Sequence, residues 1–240
     1  MSSMMPAADS VARTMGSVVA KIKAVADKAN RLPPRVVAVS KTQPAERIAA
    51  AYEAGMRHFG ENYVQELIEK APQLPEDIEW HFIGHLQSNK VNKLLEGVPN
   101  LKMIETVDSE KLANKLNKAI LSLARPPLNI MVQVNTSGEE SKSGLSPEDV
   151  VSLARHVHTQ CQYLELKGLM TIGMPDYTSH PENFLCLLKC REAVCRDLDI
   201  PVDDLDLSMG MSGDYEQAIE MGSTNVRVGS AIFGARDYSL

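Results

Sequence analysis

Two kinds of hydrophobic pattern alternate along this chain from residue 35 onward. Short runs rich in β-branched and apolar residues fall at 35–40, 57–59, 79–83, 102–105, 129–134, 165–169, 204–207 and 225–228. Between them, apolar residues recur every three or four positions, which predicts helices over 45–55, 62–70, 88–95, 109–124, 147–160, 181–198 and 213–221. Strands that strictly alternate with helices pair in parallel, and each crossover covers one sheet face. Eight such strands predict an α/β fold, a single TIM-type (β/α)8 barrel. A doubly wound open sheet is the alternative, but its helices would have to cover both faces.

Punctuation supports these boundaries. Ser146-Pro147 and Ser109 are suitable helix starts, and Pro126-Pro127 closes a helix before the fifth strand. Ahead of the first strand, Val11, Met15, Val18, Ile22, Val25 and Ala29 form one stripe of an amphipathic helix. Leu32-Pro33-Pro34 separates that helix from the barrel, so residues 1–33 read as a helical extension and 34–240 as the barrel domain. The polar stretch 174–181 is placed to cover a site at the barrel mouth.

With 240 residues the chain matches the usual length of a closed barrel. A net charge of −6 disfavours a general nucleic-acid surface. No apolar stretch approaches the roughly 20 residues that span a bilayer, and no secretory signal opens the sequence. The expected location is therefore cytoplasmic; an organellar transit peptide around Arg13 and Lys21 is the alternative. The four cysteines contain no CxxC pair and have the wrong companions for zinc, so they read as reduced thiols.

In a barrel of this kind, chemistry sits just beyond the C-terminal ends of the strands. Those positions hold Lys41, Asn62, His85, Thr106, Asn135, Met170, Ser208 and Gly229-Ser230. Lys41 ends a nearly all-apolar strand. Desolvation there would lower its amine pKa and make it a Schiff-base nucleophile, unless it simply turns outward. The segments 208–213 and 229–234 are rich in glycine and serine, and they follow strands seven and eight, where barrels often hold phosphate. Ordinary turn chemistry is the alternative for either loop alone. Arg227 lies inside the eighth strand, opposite in parity to Val226 and Val228, so it meets either a ligand or a buried acid.

The segments Val39-Ser40-Lys41-Thr42, His58-Phe59-Gly60-Glu61-Asn62-Tyr63 and residues 80–90 (WHFIGHLQSNK) carry a family likeness. So do Gly168-Leu169-Met170-Thr171, residues 207–212 (LSMGMS) and residues 226–234 (VRVGSAIFG). Together they resemble the pyridoxal phosphate homeostasis protein family, which is itself similar to the barrel domain of alanine racemase. The resemblance implies pyridoxal 5′-phosphate (PLP) as cofactor, with Lys41 forming its Schiff base. It implies that Ser208, Ser212, Gly229 and Ser230 hold the phosphate, that Arg227 faces the pyridine nitrogen, and that Asn62, His85 and Met170 line the surroundings.

A guanidinium donates to the ring nitrogen without protonating it, which weakens the cofactor as an electron sink. Only six residues follow Gly234, too few for the second domain that a racemase uses, and Tyr238 reads as a frayed terminal residue rather than a base. The expectation is therefore a monomeric carrier that holds PLP and passes it to enzymes lacking it, not a catalyst. A PLP-dependent amino-acid racemase completed by another subunit and a Schiff-base aldolase acting on a phosphorylated sugar are the alternatives.

Overall fold

The computed structural model describes residues 7–139, 143–173 and 181–234. Eight strands close into a barrel in the order β1 to β8, all parallel. They are β1 (Arg35–Val39), β2 (His58–Glu61), β3 (Glu79–Phe82), β4 (Leu101–Val107), β5 (Leu128–Gln133), β6 (Leu164–Met170), β7 (Asp206–Ser208) and β8 (Asn225–Val228). The seam is made by β1 and β8, with Arg35 opposite Asn225 and Ala38 opposite Val228.

The outer ring is α2 (Ala45–Glu53), α3 (Val64–Lys70), α4 (Val91–Gly97), α5 (Glu110–Ser122), α6 (Val150–Gln160), α7 (Glu182–Leu198) and α8 (Tyr215–Glu220). An N-terminal α1 (Ala7–Lys28) and a short α9 (Ser230–Phe233) complete the helices. The sequence reading missed α9, because four residues carry no measurable period. It also began the fifth outer helix, α6, at 147. Residues 147–149 instead form a turn in which Ser146 Oγ bonds Asp149, and the helix starts at Val150.

Local chemistry explains the ring. Ser109 caps α5 by accepting the Leu112 N–H, and Leu112, Leu116 and Ala119 with Ala113 and Ile120 bury one face. Truncating a residue such as Leu116 to alanine would cost about 2–5 kcal/mol. On α1 the buried stripe is Val11, Met15, Val18, Ile22 and Ala26. Ala26 thus takes the place of the partly buried Val25, and Ala29 lies beyond the end of the helix at Lys28. This helix lies on α2, α8 and α9. It is tied there by Thr14 Oγ1 donating to Ile232 O (2.6 Å) and by the Lys21–Glu216 ion pair.

Strand parity divides the core in two. Phe59, Trp80, Phe82, Val226 and Val228 point outward into the apolar layer under the helices. Inside, a separate cluster of Met103, Met131 and Met170 fills part of the barrel. Much of the remaining interior is polar, with His81, Glu105, Gln133, Ser208, Asn225 and Arg227 all buried.

Candidate functional site at the barrel mouth

Lys41 follows β1 on a tight turn and is half-buried. Its neighbouring strand end is Gly229, where an added Cβ would stand 3.3 Å from both Val39 Cβ and Val39 O. The first and last strand ends thus lie against each other at the mouth.

Beyond β7, Gly210 has φ +97°, and a side chain there would collide with Ala218 at 2.6 Å. That left-handed turn brings Ser212 back over the start of α9. Its hydroxyl accepts the N–H groups of Gly229 (3.2 Å) and Ala231 (3.3 Å). Ser230 beside them is exposed. Two amide donors and two hydroxyls are therefore gathered where strands seven and eight end.

Asn62 and His85 line one cleft of about 380 Å³, together with Tyr63, Gln87, Lys90 and Lys93. His85 is exposed and stands 3.8 Å from Asp108. Asn62 Oδ1 is buried and has no hydrogen-bond partner among the described residues. Gly84 makes the close approach of the second and third strand ends possible, since a Cβ there would sit 2.0 Å from Asn62 O. Met170 belongs to the interior methionine cluster, below the rim. The stretch 174–180 and Tyr238 lie outside the described residues.

Arg227 points into the barrel, 4% exposed. It donates to Ser208 Oγ (2.5 Å) and to Thr171 O (2.7 Å). Ser208 in turn donates to Glu105 Oε2 (2.5 Å) and accepts from Asn225 Nδ2 (3.0 Å). Its hydroxyl is fully engaged by these interior partners below the mouth. Glu105 also takes a 2.7 Å bond from His81 Nδ1, and His81 Nε2 lies 3.4 Å from His58 Nδ1.

Burial would raise the Glu105 carboxyl, but the His81 hydrogen bond and charge, with Arg227 and Ser208, outweigh it and hold the group below its ordinary value. Arg227 is lowered by burial, against which Glu105 and Asp214 act. His58 is pushed down to about 4, first by burial and then by His81, with Arg35 and Lys102 adding and Glu79 opposing.

Comparison with known proteins now bears on this geometry. Residues 15–237 match the family model for the alanine racemase N-terminal domain. The human pyridoxal phosphate homeostasis protein is 53% identical over 229 residues, covering 90% of this chain and 83% of that one. The protein of the same name from Vibrio cholerae is 43% identical over 241 residues, covering 96% and 98%. The chain belongs to the pyridoxal phosphate homeostasis protein family. PipY of Synechococcus elongatus, solved with PLP bound, is 32% identical to this chain with a TM-score of 0.75, covering 93% of this chain and 100% of PipY.

For this family member, the sequence reading missed the interior network around Arg227: Thr171, bonded to it directly, and Glu105, His81 and Asn225, joined to it through Ser208. Parity was the available signal. Glu105 shares its face with Met103, as His81 does with His58, and an acid or histidine at an inward position of a barrel strand must have a partner. Among the described residues, no helix is long and apolar enough to cross a membrane.

Proposed function

We propose that this protein holds PLP as a Schiff base on Lys41 and hands it to enzymes that lack their cofactor. The reading is carried by one observation. The turn bearing Lys41 and the amide donors at Gly229 and Ala231 belong to hydrogen-bonded neighbouring strands at the same barrel end. A ligand with an aldehyde at one side and a phosphate at another fits that pairing of groups. The fit is supported by the buried Asn62 Oδ1 at the mouth, unpartnered among the described residues, and by Gly229, whose missing side chain lets the end of β8 lie against Val39, two residues before Lys41.

In this reading PLP supplies an aldehyde that condenses reversibly with amines, which is the chemistry of both retention and release. Lys41 provides the attaching amine. Ser212, Ser230 and the amides of Gly229 and Ala231 grip the phosphate, with the Ser208 hydroxyl left to hold Arg227. Arg227 donates toward the ring nitrogen and cannot protonate it, so the site favours holding over turnover. Asn62 and His85 border the ring, and Met170 floors it.

The test is an absorbance spectrum of PLP-loaded protein before and after borohydride, followed by mass mapping of the reduced peptide. The adduct is expected on Lys41, and Lys41→Ala is expected to keep PLP through the phosphate loops alone. An adduct on another lysine, or none, overturns the reading. Hand-over is tested by incubating the loaded protein with a PLP-dependent enzyme stripped of cofactor. Reactivation faster than with equal free PLP is expected.

A further inference from the structure

A three-charge cluster behind the site holds the backbone on both sides of Lys41. Lys70 Nζ donates to Ser40 O (3.0 Å), to Glu61 Oε1 (2.8 Å) and to Glu66 Oε2 (2.6 Å). Ser40 Oγ donates to the same Glu61 oxygen at 2.7 Å. Glu66 Oε2 also accepts the Thr42 N–H at 2.9 Å. The residue before Lys41 and the residue after it are thus both bound to one ion cluster, most of it contributed by α3.

The cluster is costly in two ways. Lys70 is 9% exposed and Glu61 is fully buried, and burying such charges is repaid only by near-ideal geometry. Thr42 has φ +62°, a left-handed conformation that a β-branched residue avoids unless its surroundings impose it. An apolar cluster of similar volume would serve stability as well or better. What apolar packing cannot do is seize a carbonyl and an amide one residue to either side of a chosen side chain.

We propose that Lys70, Glu61 and Glu66 are positioning residues for Lys41, fixing the turn from which its amine reacts with the cofactor aldehyde. The inference rests on Lys41 being the attachment point. Attachment joins the Lys41 nitrogen to the aldehyde carbon with loss of water, and borohydride then adds hydride to that C=N bond. Misplacing the amine slows this step without touching the phosphate grip.

The experiment compares two ligands on the full chain carrying Glu66→Ala, Glu66→Gln or Lys70→Met. PLP reports attachment, as the rate of forming the borohydride-fixed Lys41 adduct. Pyridoxine 5′-phosphate has an alcohol in place of the aldehyde and reports the non-covalent grip. Glu66→Ala and Lys70→Met are expected to slow adduct formation about 10- to 100-fold. Their affinity for pyridoxine 5′-phosphate should stay within about twofold of wild type, as expected for independent sites. Glu66→Gln keeps an oxygen for the Thr42 N–H and should restore most of the rate. An unchanged rate in Glu66→Ala, or an equal loss for both ligands, overturns the proposal. Glu66 is partly exposed, so its variants report even if Lys70→Met fails to fold. Wild-type protein that forms no Lys41 adduct overturns the underlying reading instead, and is recognised before any variant is made.

Discussion

Glu105 and Arg227 are joined through a single hydroxyl: Ser208 Oγ stands 2.5 Å from a Glu105 oxygen and 2.5 Å from an Arg227 nitrogen. The acid enters from β4 and the base from β8, so the bond runs across the barrel interior. It fixes a guanidinium that has lost nearly all its water.

Removing the acid should expose what it balances. Glu105→Ala leaves Ser208 and His81 without their shared acceptor and Arg227 without the negative charge behind Ser208, and the cofactor-free protein should lose about 3–5 kcal/mol in urea unfolding. Glu105→Gln retains a hydrogen-bond acceptor and should lose less. An alanine variant as stable as wild type would show that the interior chain holds no strain-bearing charge.

Acid sensitivity should arise partly from His58. In the fold this histidine stays neutral down to about 4, whereas its ordinary value is 6.5. The unfolded chain therefore binds the additional proton between those values. Stability from this group is complete above 6.5 and is lost as pH falls toward 4, by about 2 kcal/mol once solvent screening is allowed for. His58→Asn should flatten that part of the stability profile measured by urea titration at successive pH values.

The phosphate grip can be weakened without touching attachment. Ser212→Ala removes a hydroxyl that organises the Gly229 and Ala231 amides. Charge-assisted hydrogen bonds contribute about 1.5–3 kcal/mol each, so PLP affinity should fall at least about tenfold. At saturating PLP the Lys41 adduct should still form, and binding of pyridoxal, which lacks the phosphate, should be unaffected.

Two glycines should respond in opposite directions to the same change. Gly84→Ala places a Cβ where Asn62 O already stands, and should cost about 3 kcal/mol or more while weakening PLP binding. Gly16 lies exposed within α1 with nothing within 4 Å of an added Cβ. Gly16→Ala should therefore stabilise by about 0.5–1 kcal/mol. Thermal unfolding of both variants tests the pair.

The barrel was legible because each strand is a short apolar run and each outer helix has its own period. Every predicted strand was found, with ends displaced by at most two residues: hydrogen bonding extends past the apolar run at Thr106 and Val107 and stops short of it at Ser40 and Ile83. The mouth was legible too, since strand ends are its definition: Lys41, Asn62, His85 and Gly229 all stand there. What escaped was the interior. Ser208 reads as a loop donor in one dimension, and only the barrel's curvature sets it against Glu105, 103 residues away. The Lys70 cluster escaped for the same reason: helix periodicity shows that Lys70 and Glu66 are neighbours, but not that both turn inward beneath Ser40.

The pairing of the first strand with the last carries a consequence for biosynthesis. Arg35 finds Asn225, 190 positions further on, only once that residue has left the ribosome. Until then the nascent sheet has two open edges, and Lys41 has no Gly229 beside it. Vitamin capture must follow emergence of the last strand, and a translation-coupled loading assay should detect no cofactor uptake by polypeptides stalled ahead of residue 225.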